Sequence, residues 1–157
     1  MNDLPKKIRA VSIEALNQTL ADLSDLYSQT KQAHWNVRGP YFFTLHKLFD
    51  EVASAVEEPI DDVAERIVQL GGEARGTVRM AAKNSEIPEF EVSGKAAAAD
   101  PLAFAKALAA NYAVCAKSVR ARVDATAAAG DADTADLLTG ASRALDKSLW
   151  FIEAHMR

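Results

Sequence analysis

The stretch "KQAHWNVRGPYFFTLHKLFDE", residues 31–51, decides the fold because it joins two long helical patterns through an Arg-Gly-Pro break. Apolar residues recur every three or four positions on both sides of that break, which is the spacing of one helix face. Gly39 can adopt the left-handed conformation that ends a helix, and Pro40 cannot continue one. The stretch therefore predicts a first helix over about 5–37 and an antiparallel second helix over about 41–70.

The second predicted helix contains Pro59, which removes a backbone hydrogen bond and predicts a kink over 55–59 rather than an end. The paired glycines at 71–72 end the helical pattern. Residues 84–100 then look like a long connection with room for a short helix. The two predicted long helices on each side of this connection must pack on each other to bury their apolar faces.

A third helix is predicted from Asp100 as N-cap and Pro101 in its first turn to Gly130, and a fourth begins in "DADTADLL". Their predicted buried faces are Leu108, Tyr112, Cys115, Val119 and Val123, and Leu138, Ala141, Leu145, Leu149, Ile152 and Met156. Two long helix pairs with one long connection between them predict an all-α, ferritin-like four-helix bundle, with residues 1–157 in a single domain.

Composition limits the classes of function. The chain has 157 residues, 49% of them hydrophobic and 25% charged, which is typical of a folded globular protein. One cysteine excludes an intramolecular disulfide and a zinc or iron–sulfur site made of cysteines from one chain. With no signal peptide or membrane span in the pattern, we expect a cytoplasmic protein. The net charge of −4 disfavours binding nucleic acid through a broadly basic surface.

Five residues form a pattern of metal ligands. His46 and Asp50 are four residues apart on the second helix, and so are Asp61 and Glu65, so each pair shares one helix face. The short turn brings His34 of the first helix near His46 and Asp50. Imidazole binds Fe(II), and carboxylates stabilise Fe(III) as it forms. The two ligand types together therefore suit a site that binds and oxidises Fe(II).

The distance along the second helix separates these ligands into two groups. Asp50 and Asp61 lie eleven residues, or about 16 Å, apart, so they cannot bind the same ion. A twofold-related partner chain with its second helix antiparallel would bring its own Asp61 and Glu65 opposite the first group. The spacing therefore predicts that a site built from all five residues lies between two subunits.

Each part of this pattern also has a simpler interpretation. A single histidine on an apolar face, such as His34, is more often a hydrogen-bonded core residue than a ligand. His46 with Asp50 can be a surface pair, "EEPIDD" at 57–62 can be a solvated acidic face, and His155 can interact with the helix C-terminal dipole. Only the combination favours a metal site over these alternatives.

Three segments resemble the Dps family, the mini-ferritins known as DNA-binding proteins from starved cells. They are "AHWNVRGPYFFTLHKLFDE", "IDDVAERIVQLGG" and "DLLTGASRALDKSLWFIEAH", and the likeness extends over nearly the whole chain from about residue 10. The resemblance implies a hollow dodecamer with a ferroxidase centre at each twofold interface. It also implies iron as the cofactor, hydrogen peroxide as the preferred oxidant and ferric mineral stored inside.

The resemblance also implies roles for individual residues. The metal ligands of the family match His34, His46 and Asp50 from one chain and Asp61 and Glu65 from its partner. Trp35 resembles a family tryptophan that lies beside the site and helps to limit one-electron oxidation. Its alternative role is core packing. Glu57 and Glu58 resemble carboxylates that nucleate mineral, with a solvated face as the alternative. Asp131, Asp133 and Asp136 resemble residues of a threefold iron-entry pore; alternatively, Asp133 caps the fourth helix and Asp136 lies in its first turn.

The chain departs from the family pattern at its ends. Family members that bind DNA commonly carry a lysine-rich tail or a basic C-terminal extension, whereas here Lys6, Lys7 and Arg9 lie at the helix start and the sequence stops at Arg157. Twelve chains of −4 each would give a formal shell charge of −48, which repels duplex DNA. We therefore expect weak or absent DNA binding.

Two other classes of function remain as alternatives to a ferroxidase that stores iron. One is a nucleoid-associated protein that protects DNA physically, and the other is a helical bundle for adhesion or partner binding. A di-iron site inside one bundle is disfavoured, because the sequence has no Glu-x-x-His pair.

Overall fold

The computed structural model describes residues 2–157, apart from the side chain of Ala97, as four long helices and two short ones. Helix α1 packs against α2 and α5, and α6 packs against α5 and α2, which is the arrangement of a four-helix bundle. The predicted all-α bundle is therefore confirmed. The helices are α1 (Lys6–Asn36), α2 (Phe42–Gln69), α3 (Val78–Asn84), α4 (Gly94–Ala99), α5 (Ala103–Ala129) and α6 (Ala132–Ala154).

The turn between α1 and α2 follows the Arg-Gly-Pro break. Gly39 has a φ of 97°, the left-handed conformation that a side chain would disfavour, and its carbonyl accepts a hydrogen bond from Phe42 N. The predicted bounds of both helices lie within one residue of the observed ones. Pro59 lies inside α2, so the helix continues through it as expected, and the kink over 55–59 stays a prediction.

The predicted start of the third long helix is wrong by two residues. Asp100 ends α4, where its N–H donates to Ala96 O, and its side-chain Oδ1 accepts from Leu102 N. Helix α5 therefore begins only at Ala103. Asp100 lies in the tight turn between α4 and α5, and aspartate is common in turns because its side chain accepts from the backbone two residues on.

Two further details of the connection and of α6 differ from expectation. The predicted short helix in residues 84–100 is α4, but α3 precedes it and was not predicted, because seven residues carry too little apolar periodicity. Thr77 caps α3 by accepting from Met80 N. The N-cap of α6 is Asp131, which accepts from Thr134 N, so the cap assigned to Asp133 is wrong.

The core runs along the centre of the four long helices. Leu16, Leu20 and Leu23 of α1 are fully buried, and Cys115 is a buried core residue as predicted. Val123, Leu149 and Met156 are partly buried against the same cluster. Within residues 2–157, no helix is both long and apolar enough to cross a bilayer.

Candidate metal centre

Two histidines face each other across the α1–α2 turn. His34 and His46 stack with ring centroids 3.8 Å apart and planes inclined by 21°. His34 Nδ1 donates to His46 O at 2.8 Å, and His46 Nδ1 donates to His34 O at 2.9 Å. A carbonyl oxygen only accepts, so Nδ1 carries a proton in both rings, and the neutral tautomer that binds metals has its lone pair on Nε2. The reciprocal bonds therefore leave two imidazole nitrogens free to bind a metal ion.

Asp50 supplies a carboxylate beside these rings. Its Oδ1 lies 4.0 Å from His34 Nε2 and accepts a hydrogen bond from Lys31 Nζ at 2.7 Å. That bond, with the positive charge of Lys31, holds the pKa of the Asp50 carboxyl below its usual value despite an opposing contribution from burial. Asp50 is thus ionised near neutral pH. Sequence reasoning missed Lys31, although its position three residues before His34 places it on the same side of α1.

Asp61 and Glu65 form a second, separate group farther along α2. Both are exposed, and at about 1.5 Å per residue they lie about 16 Å and 22 Å from Asp50 along the helix. Among the described residues, no three His, Cys, Asp or Glu side chains are close enough together to hold an ion. One chain therefore presents two incomplete groups of candidate ligands.

Exposed aromatic and aliphatic side chains lie near both groups. Trp35 is 68% exposed, so its interpretation as a core residue is wrong. Phe42 packs on the ring of His46 with centroids 5.1 Å apart, yet remains 45% exposed. Val68, one turn beyond Glu65, is also exposed. An apolar surface of this kind typically contacts another molecule.

The middle of the bundle contains a buried tyrosine that links three helices. Tyr112 of α5 is fully buried, its hydroxyl donates to Val52 O of α2, and its Oη lies 3.1 Å from Thr30 Oγ1 of α1. Burial also raises the pKa of Tyr112 far above its usual value, so the phenol stays neutral. The Tyr112 hydroxyl therefore bonds groups of both α1 and α2 at this level of the bundle.

Glu57 and Glu58 are both exposed but belong to different surfaces. Glu58 lines a cleft of about 340 Å³ between α2 and α6, together with Asp62, Asp136 and Arg143. Glu57 lines a cleft that also contains Lys31. Sequence reasoning grouped the two glutamates, whereas α2 turns them toward different neighbours.

The proposed pore residue Asp131 is buried, so its assignment to a pore is wrong. It is 1% exposed and accepts hydrogen bonds from Ser12 Oγ, Thr134 Oγ1 and Arg66 Nη2. Asp133 and Asp136 are exposed, and their place in a pore stays a prediction. His155 caps the C-terminus of α6, where its Nδ1 donates to Phe151 O, in line with the helix-end interpretation.

Comparison with known proteins agrees with this arrangement. Residues 13–157 match the family described as "Ferritin-like domain". The "DNA protection during starvation protein" of Agrobacterium fabrum is 40% identical, over 99% of this chain and 94% of that protein. The structure of DpsC from Streptomyces coelicolor superposes with a TM-score of 0.90 at 30% identity, covering 100% of this chain and 90% of the other.

A Vibrio cholerae O1 Dps structure, described as a member of a broad superfamily of ferritin-like diiron-carboxylate proteins, gives a TM-score of 0.85 at 26% identity. It covers 98% of this chain and 94% of that one. These matches extend over the whole bundle, including both groups of candidate ligands. The chain therefore belongs to the ferritin-like family and, within it, to the Dps proteins.

Proposed function

We propose that this protein is a ferroxidase and iron-storage mini-ferritin of the cytoplasm. Fe(II) binds between two chains of a homododecamer, hydrogen peroxide oxidises it, and the ferric product is stored inside, which protects against oxidative stress. The observation that carries the proposal is the pair of stacked histidines whose Nδ1 atoms are fixed by hydrogen bonds, next to an ionised Asp50. The Vibrio cholerae relative is described as a diiron-carboxylate protein, and the ligand types here suit the same metal.

The two groups of ligands require a second chain in this proposal. His34, His46 and Asp50 form one half of the centre, and Asp61 and Glu65 of the partner complete it. A twofold axis generates two equivalent centres from one self-complementary contact. Exposed Trp35 and Val68 support the interface, because each lies beside one of the two halves and would lose its contact with water there.

The chemistry follows from the ligand types. Neutral imidazole binds Fe(II), and the carboxylates increasingly stabilise the metal as it becomes Fe(III). Two Fe(II) ions each give one electron to hydrogen peroxide, whose O–O bond breaks, and two protons complete two water molecules. Both oxidising equivalents are consumed together, so no hydroxyl radical is released. Trp35, beside His34, is a nearby residue that could donate an electron if a one-electron step escaped this pairing.

Exposed carboxylates away from the centre are the residues proposed to admit iron and to nucleate the ferric mineral. Asp133 and Asp136, at the start of α6, are the pore residues of the proposal, and Asp136 lines the same cleft as Glu58. Glu57 and Glu58 are the nucleation residues. Ferric ions leaving the centre would bind these hard oxygen ligands before mineral grows.

The first test measures how peroxide is consumed. Protein is loaded anaerobically with Fe(II) and titrated with hydrogen peroxide while Fe(III) absorbance and a spin trap are followed. We expect two Fe(II) ions oxidised per peroxide and far less trapped hydroxyl radical than in protein-free buffer. One Fe(II) oxidised per peroxide, with radical at the protein-free level, would contradict the proposal. Air in place of peroxide should oxidise Fe(II) more slowly.

The second test concerns DNA, since physical DNA binding is the main alternative. Arg9 belongs to the basic cluster at the start of α1, but its Nε donates to Leu4 O and its Nη1 to Leu70 O, each at 3.0 Å. Lys6 and Lys7 are exposed, but the chain as a whole has a formal net charge of −4. We expect no gel shift of duplex DNA near physiological salt, because too few phosphates are neutralised. A shift that persists at that salt would favour the alternative; the same assay at low salt is the control.

A further inference from the structure

Lys31 forms an ion pair with the carboxylate oxygen of Asp50 that faces His34. Its Nζ lies 2.7 Å from Asp50 Oδ1, and the same oxygen is the one 4.0 Å from His34 Nε2. The Lys31 side chain is 21% exposed and that of Asp50 is 55% exposed, so the pair is open to solvent mainly from the side of Asp50. The ligand oxygen that faces the imidazole nitrogen is thus already bonded to a cation.

A metal ion between His34 and Asp50 would come into conflict with that ammonium group. Metal bonds to imidazole nitrogen and carboxylate oxygen are each about 2.1 Å, so a gap of 4.0 Å between Nε2 and Oδ1 is within the reach of one bridging ion. An ion placed there would share Oδ1 with the ammonium, and two cations on one oxygen repel each other. The bond from Lys31 therefore competes with an ion for Asp50 Oδ1.

A place for the displaced ammonium is present on the other side of Lys31. A cleft of about 510 Å³ between α1, α2 and α3 is lined by Lys31, Trp35, Tyr27 and Glu57, and Asp25 is also on its wall. Asp25 already accepts a hydrogen bond from Gln29 Nε2. Glu57 is exposed on α2, the helix that also carries Asp50, and it lines the same cleft as Lys31, so we take it as the new partner and Asp25 as its rival.

We propose that Lys31 is a positioning residue that exchanges carboxylate partners: it holds Asp50 before an ion binds and pairs with Glu57 once a divalent cation has taken Asp50. The proposal rests on the proposed function, because it assumes that Asp50 is a ligand. It gives Glu57 a role beside the centre, distinct from mineral nucleation. It also makes the affinity of the centre depend on two residues that are not themselves ligands.

Binding of Zn²⁺ tests the exchange without any oxidation. Isothermal titration calorimetry at one pH compares the assembled wild type with Lys31→Met, and Lys47→Met is the matched control, since Lys47 lies next to His46 but contacts the Phe43 ring. We expect Lys31→Met to tighten Zn²⁺ binding on the order of fivefold, the upper range for an exposed ion pair, and Lys47→Met to change it much less. Unchanged or weaker binding by Lys31→Met would overturn the proposal.

A double-mutant cycle tests the second partner. Glu57→Gln should weaken Zn²⁺ binding by about threefold in the wild-type background and have no effect in the Lys31→Met background, because the displaced ammonium is then absent. Glu58→Gln, facing another cleft, and Asp25→Asn are the controls and should leave the affinity unchanged. An equal effect of Glu57→Gln in both backgrounds, or a Lys31-dependent effect of Asp25→Asn, would contradict the exchange.

His46→Ala separates failure of this proposal from failure of the proposed function. If His46→Ala abolishes the Zn²⁺ isotherm while Lys31→Met does not alter it, the centre stands and the exchange is wrong. If His46→Ala leaves the isotherm intact, the centre itself is wrongly assigned and the exchange falls with it. Size-exclusion chromatography and circular dichroism of every variant ensure that assembled protein is compared.

Discussion

Mixing subunits that carry His46→Ala with subunits that carry Asp61→Asn is expected to restore Fe(II) oxidation that neither variant shows alone. Each variant should lose at least about a hundredfold in rate, since even residues that only orient metal ligands cost tenfold to hundredfold when removed. In a mixed dimer, one centre contains both defects. The other centre combines the intact His46 of one chain with the intact Asp61 of the other.

The expected recovery can be calculated from random pairing. With equal amounts of the two variants, half of the twofold contacts are mixed and each mixed contact has one intact centre, which gives about a quarter of the wild-type rate. The variants are unfolded and refolded together, and peroxide-driven oxidation is followed by the absorbance of Fe(III). Size-exclusion chromatography establishes that the mixed protein has the wild-type assembly size.

The matched control mixes His46→Ala with Asp50→Asn. These two residues belong to the same group, with Asp50 close to the His34–His46 stack, so every centre in a mixed dimer keeps one defect. No recovery is expected. Recovery in this control, or its absence in the first mixture, would show that the five residues do not divide between two chains as proposed.

The elements that the sequence predicted well are those that local rules determine. Gly39 and Pro40 mark the reversal between α1 and α2, and the observed helix ends lie within one residue of the expected ones. The spacing of His46, Asp50 and Asp61 follows directly from helix geometry, so the separation into two groups needed no tertiary information. Three- and four-residue periodicity was sufficient to identify the four long helices.

The details that the sequence did not predict depend on contacts between distant residues. Stacking of His34 on His46 and the bond from Lys31 to Asp50 require the register of α1 against α2, which the sequence pattern does not give. Helix α3 is too short for periodicity to reveal it. Asp131 was misassigned because an aspartate near a helix start looks exposed in sequence, while its partners Ser12 and Arg66 lie more than 60 residues away along the chain.

Asp131→Ala is expected to destabilise the bundle strongly, in contrast to a change at a pore residue. Asp131 is buried where α1, α2 and α6 meet. Its carboxylate accepts hydrogen bonds from Ser12 and Thr134 and forms an ion pair with the Arg66 guanidinium at 3.1 Å. Removing one partner of a buried ion pair costs about 3–5 kcal/mol, because the remaining charge is left unpaired. For a chain of this size we expect Tm to fall by about 10 °C at fixed protein concentration.

The control is Asp133→Ala, two residues away, whose side chain is 88% exposed and 4.0 Å from Arg66. Its Tm should change by less than about 2 °C, as for most exposed pairs. An equal loss in both variants would show that charge near the start of α6, rather than the buried network, is responsible. If Asp131→Ala does not assemble, Asp131→Asn keeps the shape of the side chain and supplies the measurement.

The pH dependence of Tm gives an independent check on Asp131. Burial opposes its ionisation, but hydrogen bonds from Ser12 and Thr134 and the charge of Arg66 outweigh burial and lower the pKa of the Asp131 carboxyl. A lowered pKa in the folded state contributes stability above the unfolded value of about 3.9, and that contribution is lost as the pH falls through the folded value. The difference in Tm between wild type and Asp131→Asn should therefore be constant from about pH 5 to 8 and shrink below about pH 4. A difference that stays constant in acid would mean that the ionised carboxylate is not what stabilises this junction of three helices.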